Sequence, residues 1–285
     1  ELDFSYMLPG GARFRVNVYY EKGNMAAAMR YIPVEIRTLE DLHLPPIIGQ
    51  LTGLKQGLVL VTGPTGHGKS TTLAAMIKRI NQERSEHIIT IEDPVEYVHS
   101  PAMSIISQRE LHSDTHSWGV ALKSVLREDP NVVLIGEMRD YETIEAALTI
   151  AETGHLVLAT LHTNSAAQTI DRIVDVFPEK EQQQIRGQLS LSLEAVIAQR
   201  LIPSEDGARV AIAEILIATP AVRSLNRDGK THMLTNVMQT STEVGMRTLD
   251  TALAEAFRAG KISLSTAREY ALNTEELNRL IGNGS

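Results

Sequence analysis

The architecture of this chain follows from one motif, Gly63-Pro64-Thr65-Gly66-His67-Gly68-Lys69-Ser70-Thr71. An apolar run at residues 58–61, typical of a buried strand, precedes it, and a helical pattern follows it. A strand, a glycine-rich loop and a helix in this order form a phosphate-binding loop, because backbone N–H groups and a helix N-terminus converge on the anion. All nine residues are predicted to line a nucleoside triphosphate. Lys69 is predicted to reach the β- and γ-phosphates, and the hydroxyl of Ser70 to bind Mg²⁺.

The composition excludes several classes of protein. Of 285 residues, 43% are hydrophobic and 22% are charged, as in an ordinary globular protein. The net charge of -8 argues against a protein whose main role is to coat nucleic acid, so no stable nucleic-acid partner is expected. The absence of cysteine excludes disulfides, thiol nucleophiles and cysteine-based zinc sites. No apolar run approaches the roughly 20 residues that span a bilayer, so no transmembrane segment is expected.

Three segments are predicted along the chain. Residues 1–32 show strand patterns and are interpreted as part of a small β-rich N-terminal domain. Residues 33–46 contain three prolines and are interpreted as a linker. Residues 47–285 are predicted to form an α/β domain with a mainly parallel sheet, completed by a C-terminal helical bundle. The predicted strands are 58–62, 88–91, 132–135, 156–160 and 210–217. The predicted helices are 69–84, 117–128, 141–152, 166–174 and 179–199, and those of the bundle are 220–228, 247–259, 264–272 and 274–281.

Three polar residues follow predicted buried strands and are candidates for the chemistry. Glu137 comes after the strand 132–135, where it could bind Mg²⁺ through water or polarise the attacking water. Glu92 ends another strand and is a candidate general base, although an acidic strand end is also common in α/β proteins. His162 is a candidate γ-phosphate sensor, against the alternative of a structural histidine. His67, inside the loop, is predicted to face solvent.

Four ordered motifs resemble those of the type II/type IV secretion ATPases, and among these the type IV pilus retraction ATPases most of all. The motifs are residues 63–71, IEDPVEY at 91–97, DPNVVLIGEMRD at 129–140, and TGHLVLATLHTNSAAQTIDRIVDVFP at 153–178. They resemble the Walker A, Asp-box, Walker B and His-box motifs. The resemblance implies a RecA-like ATPase domain, a partial PAS-like N-terminal domain, and a homohexameric ring that binds ATP and Mg²⁺. It also implies a cytoplasmic position at the inner face of the membrane, where the ring would act on the pilus platform protein.

The resemblance also implies roles for individual residues. Glu92 and Glu137 would share the base and metal roles, and His162 would contact the γ-phosphate. Arg15 and Arg30 would match the arginines of the N-terminal domain that reach the nucleotide.

Three features of this chain depart from the family or bear on its branches. His67 replaces the usual small residue of the phosphate loop, and Asn226 stands where an apolar residue is usual. The lack of cysteine argues against the pilus-assembly branch, which usually carries a four-cysteine zinc insert. The alternatives are a secretion, conjugation or pilus-assembly ATPase, and a nucleotide-gated scaffold with little turnover.

Overall fold

A small antiparallel sheet is formed by the first part of the chain, in a computed structural model that describes residues 1–9, 11–32 and 35–282. Its strands are β1 (Leu2–Met7), β2 (Arg13–Glu21) and β3 (Asn24–Ile32). Arg15 and Arg30 are cross-strand partners in the register of β2 and β3. The predicted β-rich N-terminal segment is confirmed, and its likeness to a PAS domain stays a prediction.

The central layer of the protein is a seven-stranded sheet. Its strands are β4 (Gly57–Thr62), β5 (His87–Glu92), β6 (Ile105–Glu110), β7 (Val132–Ile135), β8 (Leu156–Leu161), β9 (Leu193–Pro203) and β10 (Arg209–Ile217). The strand order is β10-β9-β4-β8-β7-β5-β6, and every neighbouring pair is parallel except β9 and β10. The predicted α/β class with a mainly parallel sheet is therefore confirmed.

Helices cover both faces of this sheet. They are α1 (Pro46–Leu51), α2 (Lys69–Glu83), α3 (Trp118–Val125), α4 (Tyr141–Glu152), α5 (Ala166–Asp175), α6 (Glu179–Ser192), α7 (Pro220–Arg227), α8 (Leu234–Thr240), α9 (Leu249–Arg258), α10 (Leu264–Tyr270) and α11 (Thr274–Gly282). Side chains alternate along β4, so that Leu58 and Leu60 face a core with α3 to α6, whereas Val59 and Val61 face α1 and α2. Because both faces of β4 are covered in this way, this strand is buried at every position.

Helices α9, α10 and α11 form a bundle as predicted, but the prediction that helix 220–228 belongs to it is wrong, because Val222 of α7 is buried in the core that contains α3 to α6. The three bundle helices enclose a third core around Leu253 and Leu277, to which Ile202 and Ile212 of the last two strands contribute. Glu214 of β10 attaches the bundle to the sheet. Its buried carboxylate accepts hydrogen bonds from the backbone N–H of Ala166 at 2.7 Å and of Leu249 at 3.4 Å, the first residues of α5 and α9.

The structure differs from the sequence prediction in two strands and two helices, one of which is α1, a helix that the sequence did not predict. The predicted helix 179–199 is wrong beyond Ser192, because the chain becomes extended at Leu193 and continues as β9. The guanidinium of Arg223 donates to the carbonyls of Ser190 at 3.0 Å and Leu191 at 2.9 Å, and so satisfies the last turn of α6 from a distant part of the chain. Strand β6 and helix α8 were not predicted.

The predicted linker lies partly against the larger domain. Residues 33–34 of the linker and residues 283–285 of the predicted ATPase domain lie outside the described residues. Leu39 and Leu44 are buried in the core that contains α1 and α2. The domain boundaries at 32 and 46 stay predictions. Across residues 1–9, 11–32 and 35–282, we find no helix with the length and apolar character that a bilayer-spanning helix requires.

Candidate active site

The phosphate loop connects β4 to α2, as the sequence predicts. Gly63, Gly66 and Gly68 have φ values of 137°, 81° and 82°, which a residue with a Cβ rarely adopts. At Gly63 the need for glycine is also steric, since a Cβ there would lie 2.2 Å from the carbonyl oxygen of Gln199. The loop therefore packs directly against strand β9.

Lys69 is the first residue of α2 and lies inside the loop. Its Nζ donates to the carbonyl oxygens of Gly63 at 2.8 Å and Pro64 at 3.0 Å. Only 8% of the residue is exposed, and burial lowers the pKa of the ammonium group while the carboxylate of Glu137 opposes that shift. The cation is thus held where the loop curls, in the position from which a lysine can reach phosphate oxygens.

His162 joins the phosphate loop to Glu137. Its Nε2 lies 3.0 Å from Oε1 of Glu137, and its Nδ1 lies 3.4 Å from both Nζ of Lys69 and Oγ1 of Thr65. Because an ammonium group can only donate, Nδ1 is the acceptor and Nε2 carries the proton that is donated to Glu137. The structure therefore brings together Lys69, His162 and Glu137, which the sequence placed on three separate elements.

Glu137 is a charged acceptor at the tip of β7. Burial by itself raises the pKa of its carboxyl group, but a 2.7 Å ion pair with Arg139 and the nearby His162 and Lys69 outweigh that effect and lower it. The group is therefore a carboxylate at neutral pH. Arg139, with 65% of its side chain exposed, is a further neighbour of the site.

At the tip of β5, the pKa of Glu92 is shifted in the opposite direction to that of Glu137. Its carboxylate accepts hydrogen bonds from Oγ1 of Thr90 at 2.7 Å, Nε2 of Gln108 at 3.3 Å and the backbone N–H of Glu96 at 3.4 Å. Burial nevertheless raises its pKa to about 7. A carboxylate that can take up a proton near neutral pH suits a general base. Thr90 and Gln108 were not predicted as site residues, and no motif in the sequence marks them.

The carboxyl edge of the sheet offers oxygen ligands of the kind that Mg²⁺ prefers. The hydroxyl of Ser70 lies at the start of α2, and the carboxylate of Glu137 lies at the tip of β7. Mg²⁺ in nucleotide sites is bound by one or two such protein oxygens together with phosphates and water. No group of three or more His, Asp or Glu residues suited to a metal occurs within 1–9, 11–32 and 35–282. These residues fit a nucleotide-associated Mg²⁺ and not a metal site made by the protein alone.

Within one chain, the two predicted arginines, Arg15 and Arg30, do not contact the group formed by Lys69, His162 and Glu137. Arg15 is half-buried and Arg30 is exposed, and neither guanidinium forms a hydrogen bond or ion pair with the described residues. Arg13, two residues before Arg15 on the same strand, is instead held by Glu110 at 3.2 Å and Ser5 at 2.9 Å. A catalytic role for Arg15 and Arg30 stays a prediction.

The prediction that His67 faces solvent is wrong. Its imidazole Nδ1 accepts a 3.0 Å hydrogen bond from the backbone N–H of Leu201 on β9. Burial, with a smaller contribution from the charge of Lys69, lowers the pKa of the ring, so that Nδ1 remains an acceptor. The side chain turns towards β9 because that strand, which the sequence did not predict, forms the wall behind the loop.

Comparison with known proteins places this site in a family. A sequence profile of the type II/IV secretion system protein family matches residues 47–269. The twitching motility protein of Neisseria gonorrhoeae is 54% identical over 278 residues, which is 97% of this chain and 74% of that protein. The type IV pilus retraction ATPase PilT of Pseudomonas aeruginosa is 51% identical over 271 residues, which is 95% of this chain and 79% of that protein.

A solved structure agrees with the sequence relatives. The crystal structure of the pilus retraction motor PilT with bound ADP superposes with a TM-score of 0.92 at 49% identity, and the match covers 98% of this chain and 79% of that one. The predicted RecA-like fold is therefore confirmed. The chain therefore belongs to the type II/IV secretion system protein family and is an ATPase of that family.

Proposed function

We propose that the chain is a homohexameric, Mg²⁺-dependent motor that powers the retraction of type IV pili. The observation that carries the catalytic part is the contact of Lys69 with His162 and of His162 with Glu137, at the end of a phosphate loop. The similarity to retraction ATPases over nearly the whole chain supports the biological role. The ring, the pilus platform as partner, and a position at the cytoplasmic face of the inner membrane form part of the proposal.

The proposed roles follow from the geometry of each residue. Backbone N–H groups from Gly63 to Thr71 bind the phosphates, and Lys69 exchanges its carbonyl partners for phosphate oxygens. The hydroxyl of Ser70 and the carboxylate of Glu137 hold Mg²⁺, which supplies charge to the phosphates when bound. His162 lies next to Lys69 and can contact the terminal phosphate through a ring N–H, for which Nδ1 must take up a proton once Lys69 has turned to the phosphates; the loss of that phosphate is then sensed at this ring.

Glu92 is proposed as the general base. Its pKa of about 7 allows it to accept a proton from the attacking water and to release it again at neutral pH. The guanidinium groups of Arg15 and Arg30 have no partner among the described residues, and they supply positive charge to the nucleotide of an adjacent chain in the ring. Such a cation can contribute several powers of ten to phosphoryl transfer.

The proposal is tested by enzymology and genetics together. Purified protein should hydrolyse ATP in the presence of Mg²⁺, and Glu137→Gln should retain nucleotide binding and lose turnover. A strain that lacks the gene should keep its pili and lose their retraction, and the parent sequence should restore retraction whereas Glu137→Gln should not. Loss of the pili themselves would identify an assembly ATPase, and intact retraction would refute the motor role. Negligible turnover in the parent would favour a nucleotide-gated scaffold.

A further inference from the structure

Strand β9 contacts the phosphate loop through one buried glutamine. Gln199 is 2% exposed, and both ends of its side-chain amide form hydrogen bonds. Its Oε1 accepts from the hydroxyl of Thr72 in α2 at 2.7 Å, and its Nε2 donates to the carbonyl oxygen of His67 at 2.9 Å. The amide therefore bridges the helix that follows the loop and the loop itself.

The bond to His67 fixes the direction of a phosphate-binding group. In a planar trans peptide, the C=O of one residue and the N–H of the next point in opposite directions. When Gln199 binds the carbonyl of His67, the N–H of Gly68 must therefore point away from the Gln199 amide. In a phosphate-binding loop, the backbone N–H groups that face the hollow of the loop meet phosphate oxygens.

Further contacts with β9 restrict the movement of the loop next to the hydrogen bond between Gln199 and His67. A Cβ at Gly68 would lie 2.9 Å from Nε2 of Gln199, so the glycine permits the close approach of the amide. On the same face of β9, the N–H of Leu201 donates to the imidazole of His67. The loop is thus attached to β9 through both the main chain and the side chain of His67.

We propose that Gln199 is a positioning residue of the ATPase reaction, which orients the Gly68 N–H towards the phosphates by holding the carbonyl of His67. The proposal rests on nucleotide binding at residues 63–71. It predicts that loss of the amide weakens nucleotide binding more than it weakens folding. A glutamine that only filled space between β9 and α2 would affect the stability of the protein and leave nucleotide affinity unchanged.

The experiment compares substitutions that remove different parts of the bridge in the full chain. Gln199→Leu removes both hydrogen bonds, and Gln199→Glu keeps the acceptor for Thr72 but, as a carboxylate at alkaline pH, cannot donate to His67. Thr72→Val removes the helix anchor, and Thr72→Ser retains its hydroxyl. Thr231→Val is the matched control, because Thr231 is a buried threonine whose hydroxyl donates to Asp171 at 2.9 Å, outside the loop and its contacts.

Three quantities are measured for each variant: the dissociation constant for Mg–ADP, the KM for ATP, and the thermal unfolding midpoint without nucleotide. We expect Gln199→Leu and Gln199→Glu to raise the dissociation constant by about 10- to 100-fold, the effect of losing one or two hydrogen bonds from a binding site. Thr72→Val should raise it by a smaller factor and Thr72→Ser should resemble the parent. Thr231→Val should lower the midpoint alone.

The outcomes distinguish the positioning role of Gln199 from the claim that residues 63–71 bind the nucleotide. Parental affinity for Mg–ADP in both Gln199→Glu and Thr72→Val would overturn the positioning role, whether or not Gln199→Leu folds. The substitution Lys69→Ala serves as the reference. If Lys69→Ala loses binding while the Gln199 variants retain it, only the positioning role is refuted. If Lys69→Ala also binds Mg–ADP like the parent, the loop is not the nucleotide site and the proposed function fails with it.

Discussion

We expect the substitution Glu92→Gln to stabilise the folded protein at alkaline pH while it removes ATP hydrolysis. Burial raises the pKa of Glu92 from 4.5 to about 7. The unfolded chain therefore loses this proton at a lower pH than the folded protein does. The contribution of Glu92 to the free energy of unfolding is fully present below pH 4.5. It declines as the pH rises to about 7, because in that interval the folded state binds more protons than the unfolded state does.

The size of the effect follows from the shift in pKa and from the hydrogen bonds of the carboxylate. A rise from 4.5 to about 7 corresponds to roughly 3 kcal/mol of lost stability once the group is charged in both states. Glutamine is neutral at every pH and keeps an acceptor for Thr90 and Gln108. It loses the 3.4 Å hydrogen bond from Glu96, which costs about 1 kcal/mol. The variant should thus match the parent near pH 5 and exceed its free energy of unfolding by about 2 kcal/mol near pH 8.

Urea unfolding at several values of pH, without nucleotide, measures this difference. Glu21→Gln is the control, because it removes an exposed carboxylate from β2 and should show no such dependence on pH. A difference between Glu92→Gln and the parent that does not change with pH would refute the reasoning about burial. Turnover should fall by roughly 10²- to 10⁴-fold if Glu92 is the base. A variant with parental turnover would show that Glu92 is only a buried strand end.

Three further substitutions test other parts of the structure. Lys69→Ala should abolish nucleotide binding, measured by titration with Mg–ADP, since it removes the cation that lies inside the loop; retained binding would contradict the site. Asn226→Leu should raise the free energy of unfolding by about 1–3 kcal/mol, because both polar atoms of this buried amide lack a partner within residues 1–9, 11–32 and 35–282; a destabilised variant would show that the amide is satisfied in solution. Arg15→Ala should lose most turnover, and mixing it with Lys69→Ala should restore part of it if the arginine serves an adjacent chain; no recovery on mixing would argue against such sharing.

The convergence of the candidate site residues could be predicted because these residues follow apolar strands. In a parallel sheet, residues that follow several strands meet at one edge, so the tips of β7 and β8 bring Glu137 and His162 beside the loop. This convergence follows from the parallel arrangement of the strands and does not require knowledge of individual side-chain contacts. The sequence thus predicts which residues meet, although it does not predict the tautomer of His162 or the contrasting pKa shifts of Glu92 and Glu137.

The wall behind the loop could not be predicted because local propensity and tertiary structure disagree there. The segment around Leu191 to Ala195 is rich in residues that favour helices, and neither glycine nor proline marks the end of α6. The chain becomes extended because pairing with β4 and β10 outweighs this preference. Since β9 was interpreted as helix, Gln199 and Leu201 could not be recognised as neighbours of His67.

The carboxylate of Glu214 has a consequence for how such a protein can evolve. One side chain completes the first turns of two helices, α5 after the loop that follows His162 and α9 in the C-terminal bundle. A chain that ended before Leu249 would leave a buried acid with half of its partners, which carries a large energetic penalty. The C-terminal helices are therefore not an interchangeable appendage, and recombination that exchanges them among relatives should succeed only when the acid and both helix starts are inherited together.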